Sequence, residues 1–189
     1  TQPFVIHLSA ASAVTTQVNY SVTSGTATAG SDFTATSGTL SFTAGQTQKT
    51  VNVTLLNDLL DEETESLNFT LTSPVNARLS DAAGVGQIVD NDAPPTLAGN
   101  DVSVTDGDSG MQTGTFTVSL SAPSAKIISV DYAFEDVTAE GRTMAGQDFS
   151  RSGGTLTFAA GETTKTFTFS VLGDLDFEPN ETFLVHLSN

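Results

Sequence analysis

The sequence predicts an all-β protein built from antiparallel sandwiches. Three observations carry this: apolar residues recur at every second position, turn formers punctuate the runs, and the pattern occurs twice along the chain. In Lys49-Thr50-Val51-Asn52-Val53-Thr54-Leu55 the odd positions are mostly apolar and the even ones Thr or Asn. Leu67, Phe69 and Leu71 alternate with Asn68, Thr70 and Thr72. Phe167, Phe169 and Val171 alternate likewise with Thr166, Thr168 and Ser170. Such alternation sets one face of a strand on a core and the other in water. The β-branched and aromatic residues suit that pleated surface. Turns are expected at Ser37-Gly38, Ala44-Gly45, Asp106-Gly107, Gly153-Gly154 and Ala160-Gly161. No stretch reads as a long helix.

An internal repeat orders these elements. Gly30-Ser31-Asp32-Phe33 matches Gly146-Gln147-Asp148-Phe149, and Gly38-Thr39-Leu40-Ser41-Phe42 matches Gly154-Thr155-Leu156-Thr157-Phe158. Residues 30–73 align with 146–189 without a gap, with 18 identities in 44 positions. Upstream, Val18-Asn19-Tyr20 aligns with Val130-Asp131-Tyr132, so the second copy carries four extra residues around Glu135 to Thr143. Insertions of this kind are normal in a surface loop. The boundaries expected are 1–93 for copy one, 94–99 for a linker containing Pro94-Pro95, and 100–189 for copy two.

Comparison of the copies predicts a missing strand in each. Copy two opens with a strand-like Asp101-Val102-Ser103-Val104-Thr105 that copy one lacks. Copy one closes with Gly86-Gln87-Ile88-Val89-Asp90-Asn91-Asp92, which copy two lacks. The expectation is a fragment of a longer tandem array, in contact with neighbouring repeats. Each copy would then leave an open sheet edge, a route to homodimers.

Charge narrows the function. The 189 residues include 22 acidic and six basic ones, a formal net charge of -16. Phosphate binding needs clustered Lys and Arg, so nucleic acid is excluded as a partner. No apolar run approaches the roughly 18 residues of a membrane span, so no membrane insertion is expected. The chain has no Cys and two His, which removes thiolate sites and disfavours zinc. Gly107-Asp108-Ser109-Gly110 looks like a protease nucleophile segment, but no His is placed to serve it. An enzyme is not expected.

The acids are local, not diffuse. Copy one holds Asn57-Asp58-Leu59-Leu60-Asp61-Glu62-Glu63-Thr64-Glu65 directly after an alternating strand. Copy two holds Gly173-Asp174-Leu175-Asp176-Phe177-Glu178-Pro179-Asn180-Glu181 at the same place. The spacing Asp-x-x-x-Glu-x-x-Glu recurs, as does the acid of the Gly-x-Asp-Phe loop, Asp32 or Asp148. So many carboxylates in one loop repel one another unless a cation neutralises them. Ca²⁺ is the natural cation, because it takes six to eight oxygens in flexible geometry. A solvated acidic turn is the competing reading.

These motifs resemble the Calx-beta family. The resemblance rests on Gly25-Thr26-Ala27-Thr28-Ala29-Gly30-Ser31-Asp32-Phe33, on Gly38-Thr39-Leu40-Ser41-Phe42, on Phe158-Ala159-Ala160-Gly161-Glu162-Thr163-Thr164-Lys165, and on the run from Glu178 to Asn189. It implies two tandem immunoglobulin-like antiparallel β-sandwiches with Ca²⁺ at one tip. The implied ligands are Asp32, Asp58, Glu62, Glu65, Asp90 and Asp92 in copy one. Asn57 stands where calcium-binding members carry Asp. In copy two they are Asp106, Asp148, Asp174, Glu178 and Glu181, with Gly173 where Asp is expected. The function expected is a non-enzymatic calcium-binding repeat of a large extracellular bacterial protein, for adhesion or surface structure. The alternatives are a passive spacer and the regulatory calcium sensor of an exchanger.

Overall fold

A computed structural model describes residues 1–141, 148–150, 152–175 and 179–188. Among these the chain is all β-structure, and no helix is long and apolar enough to cross a membrane. It divides into two compact units: Thr1–Leu59 with Glu63–Asn91, and Leu60–Glu62 with Asp92–Asn189.

The first unit contains two sheets. Strand β1 (Gln2–His7) pairs antiparallel with β4 (Gln48–Val53), placing Phe4 opposite Val51. The other sheet has the order β3 (Thr36–Phe42), β2 (Thr16–Ser24), β5 (Glu65–Val75), β6 (Ala83–Ile88). The alternation read from the sequence is realised here: Val51 and Val53 are buried while Thr50 and Asn52 are exposed. Val22, Ala27, Phe33, Leu67 and Phe69 complete the core. The Phe4 ring of β1 stacks on Phe69 of β5 with centroids 4.7 Å apart, which joins the sheets face to face. Gly38 lets the β2–β3 ladder carry a flat aromatic ring, since a Cβ there would come 3.1 Å from Tyr20.

The second unit repeats this plan. One sheet has the order β10 (Phe149–Ser150), β12 (Thr164–Gly173), β8 (Gly110–Leu120), β7 (Leu97–Gly99). The other is β11 (Gly154–Phe158), β9 (Ile128–Asp136), β13 (Phe183–Ser188). Val118, Val130, Phe158 and Phe167 form the core, and Tyr132 stacks on Phe167 at 3.9 Å. The counterparts β1–β4 and β8–β12 pair in the same way, as do β2–β3 and β9–β11.

Two expectations are corrected. Ser37-Gly38, read as a turn, lies within β3, where the two residues pair with Ser21 and Tyr20 of β2. The strand read at Asp101–Thr105 makes no ladder; the pairing element is β7, at Leu97–Gly99, inside the segment read as a linker. Asn100 ends the pairing, because its Oδ1 accepts the Thr117 N–H at 2.6 Å. Beyond it Val102 and Val104 remain half-buried between exposed neighbours, so the alternation is used for packing without a sheet partner.

Candidate metal centre

Backbone hydrogen bonds build the copy-one site from two loops. In the first loop, Asp32 N–H and Ser31 N–H both donate to the Thr28 carbonyl, at 3.0 and 3.2 Å. Gly30 takes φ +98°, a left-handed conformation that suits glycine. The turn folds the Asp32 carboxylate back so that its Oδ2 accepts the Thr28 N–H at 2.5 Å. A bond from Leu56 N–H to the Asp32 carbonyl, 2.8 Å, ties this turn to the end of the β4 hairpin arm. Phe33, fully buried beside it, fixes the loop to the core.

The second loop enters β5. Gly25 and Ala27 N–H both donate to the Ser66 carbonyl, and Ser66 N–H donates to Thr26 Oγ1 at 2.8 Å. This brings the start of β5 beside the first loop. Asp32, Glu62 and Glu65 each present one carboxylate oxygen, and these lie within 4.8 Å of one another. Two oxygens on one Ca²⁺, each about 2.3–2.6 Å from it, are separated by no more than about 5 Å. The spacing therefore fits a shared ion. Asp32 is buried and the two glutamates are half-buried, so their mutual repulsion is weakly screened by water. The donors are all hard oxygens, which suits Ca²⁺ above transition metals.

The other expected ligands of copy one fall outside that trio. Asp58 is exposed, while Asp90 and Asp92 are half-buried. Asn57 is exposed and donates through Nδ2 to the Asp58 carbonyl at 2.9 Å. Asp61 belongs to the acidic run but does another job. It clusters with the second unit, where it is only 3% exposed. Its carboxylate accepts from Lys126 Nζ at 2.7 Å and Ser124 Oγ at 2.8 Å. These bonds, Lys126 first, hold the Asp61 carboxyl below the usual carboxylate range. The partners are more than 60 residues away in sequence, so the acidic run itself gave no sign of this.

Copy two repeats the backbone bonds that hold the acid of the first loop. Asp148 N–H donates to the Glu140 carbonyl at 3.0 Å, and Glu140 N–H donates to Asp148 Oδ2 at 2.6 Å. Leu172 N–H bonds the Asp148 carbonyl at 2.8 Å, as Leu56 does Asp32. The four-residue insertion thus leaves the turn's anchor intact. Glu178 lies outside the described residues. Asp106, Asp174 and Glu181 are exposed, Asp148 is half-buried, and no trio of acids converges among the described residues of this copy.

Comparison with known proteins matches the model of the Calx-beta domain twice, at residues 2–93 and 90–189. Sodium/calcium exchanger 1 of Rattus norvegicus is 30% identical over 189 residues, covering 90% of this chain and 19% of that protein. Sodium/calcium exchanger 2 of Homo sapiens is 28% identical over 191 residues, covering 90% of this chain and 20% of that protein. The chain thus spans about a fifth of the length of these relatives. Among solved structures, the calcium binding domain CBD12 of CALX1.1 is 22% identical with a TM-score of 0.46, covering 98% of this chain and 72% of that one. The apo-form Calx CBD1 domain is 28% identical with a TM-score of 0.41, covering 42% of this chain and 73% of that one.

Proposed function

Because the chain belongs to the Calx-beta domain family, we propose that it is a tandem calcium-binding module without catalytic activity, and that copy one is the copy that binds. The observation that carries this reading is the convergence of Asp32, Glu62 and Glu65. Asp58, Asp90, Asp92 and the carbonyl oxygen of Asn57 are the further ligands that the family pattern adds. Ca²⁺ would act electrostatically: it neutralises the trio and ties the Gly-x-Asp-Phe loop to the start of β5. Copy two, with Asp106, Asp148, Asp174, Glu178 and Glu181, is proposed to bind more weakly or not at all.

Titration calorimetry and thermal unfolding of the full chain, with and without Ca²⁺, test this. At about 100 Kd a single site adds roughly 2.7 kcal/mol of stability. Glu62→Gln with Glu65→Gln should abolish the calcium-dependent rise in melting temperature and raise the metal-free melting temperature by relieving repulsion. A wild-type protein that melts identically in both conditions is the passive spacer instead.

Two settings are open to such a module, and affinity separates them. The sodium/calcium exchangers among its relatives favour a regulatory sensor attached to a transporter. For that role Kd should lie in the range of about 10⁻⁷ to 10⁻⁵ M or below. The tandem repeat and the acidic surface favour an extracellular or cell-surface array serving adhesion. There Kd should be about 10⁻⁴ to 10⁻³ M. In either setting neighbouring repeats are the natural partners, and self-association through open sheet edges is checked by sedimentation velocity at several concentrations.

A further inference from the structure

Every polar atom of Ser66 is bound to residues 25–27. Its carbonyl accepts from Gly25 N–H at 3.2 Å and from Ala27 N–H at 2.9 Å. Its hydroxyl accepts from Thr26 N–H at 3.2 Å and lies 3.3 Å from Thr26 Oγ1. Its N–H donates to that same Oγ1 at 2.8 Å. No side chain fits at Gly25, where a Cβ would come 2.6 Å from the Ser66 carbonyl oxygen. Strand β2 ends at Ser24, opposite Leu67, so residues 25–27 take hold of β5 where the ladder stops.

This clamp lies between two members of the acidic trio. The Ser66 N–H belongs to the planar peptide unit that joins Glu65 to Ser66, so a bond to it fixes the plane next to the Glu65 side chain. On the other side, Thr28 follows Thr26 by two residues, and its N–H and carbonyl hold Asp32. Ala27, between them, is fully buried and anchors that stretch to the core. The Thr26 hydroxyl therefore links the backbone of Glu65 to the turn that carries Asp32.

We propose that Thr26 is a positioning residue of the cation centre. Its hydroxyl sets Glu65 against Asp32 before the ion arrives, so that less ordering is left for the binding step. This rests on the calcium reading of the same site. Copy two supplies the contrast. There Thr182 N–H donates to Thr138 Oγ1 at 2.7 Å, and the N–H groups of Thr138 and Ala139 donate to the Thr182 carbonyl. The clamp is repeated, but no trio of acids converges among the described residues of that copy. The same substitution in copy two thus measures the clamp without the ion.

The test compares Thr26→Val, Thr26→Ser and Thr138→Val in the full chain, by calcium titration calorimetry and by amide hydrogen exchange without metal. Thr26→Val keeps the branched shape and loses the acceptor. It should weaken calcium binding about five- to tenfold, the equivalent of one neutral hydrogen bond, and speed exchange of the Ser66 amide in the metal-free protein. Thr26→Ser should keep both at their wild-type values. Thr138→Val should speed exchange of the Thr182 amide and leave the calcium affinity of copy one unchanged. With a wild type that binds calcium, unchanged affinity in Thr26→Val, an equal loss in Thr138→Val, or no rescue by serine would each overturn the assignment. A wild-type chain that binds no calcium would overturn the reading beneath it, and this inference with it.

Discussion

The carbonyl oxygen of Gly107 occupies the space that a side chain at position 173 would need. A Cβ on Gly173 would come 1.9 Å from that oxygen and 2.7 Å from the Gly107 carbonyl carbon. Position 173 corresponds to Asn57 of copy one. The donor missing from copy two is therefore excluded by packed backbone, not merely absent from the sequence.

The first prediction follows directly. Gly173→Asp should not create a second calcium site, although it restores the family's acidic residue. It should destabilise the second unit by about 1–3 kcal/mol, because the backbone of Gly107 must move. Calcium titration alongside thermal unfolding checks both parts. An additional equivalent of bound calcium in the variant would refute the steric argument.

Asp32 has two roles that substitutions can separate. Asp32→Asn keeps an oxygen acceptor for the Thr28 N–H but removes a charge from the trio. Calcium affinity should fall about tenfold or more, a loss of roughly 1.4 kcal/mol, while the turn stays formed. Asp32→Ala should lose the same affinity and, in addition, about 1 kcal/mol of metal-free stability through the orphaned donor. Asp148→Asn should leave the copy-one titration unchanged. Calorimetry on the three variants distinguishes these outcomes.

Much of this was legible in the sequence because β-structure writes its burial every second residue. Val51, Val53, Leu67 and Phe69 were readable as core from alternation alone, and all four are buried. The repeat located Asp32 and Asp148 at matching places, and each accepts through its carboxylate from, and donates its N–H to, a residue upstream of it. Alternation does not encode hydrogen-bond partners, so Val102 and Val104 suggested a strand where only packing occurs. Nor does a run of acids say which member turns away. Asp61 and Glu62 are adjacent, yet Glu62 joins the trio and Asp61 binds Lys126.

The Asp61 carboxylate should leave a mark on acid stability. Its folded pKa is lowered by Lys126 and Ser124, so its contribution is complete above the unfolded value near 3.9. That contribution is lost as pH falls below about 4 towards the folded value. Asp61→Asn should therefore lower the melting temperature at pH 7, and the gap from wild type should narrow as pH drops from about 4 to 2. A constant gap across that range would mean that the charge on Asp61 is not what stabilises the unit.

The last prediction concerns β6. Gly86 accommodates the Phe4 ring, which is itself stacked on Phe69 and has little room to retreat. Gly86→Val inserts a branched side chain 2.9 Å from Phe4 Cζ. β-Branching favours strands on exposed surfaces, so propensity alone would predict stabilisation. Overpacking against the Phe4 ring and Leu67 should win, at a cost of about 1–3 kcal/mol. Pairing the variant with Phe4→Leu, which shortens the opposing side chain, should recover part of that loss. Urea unfolding of the single and double variants measures the coupling between them. Strict additivity would show that Gly86 is not selected by the Phe4 ring.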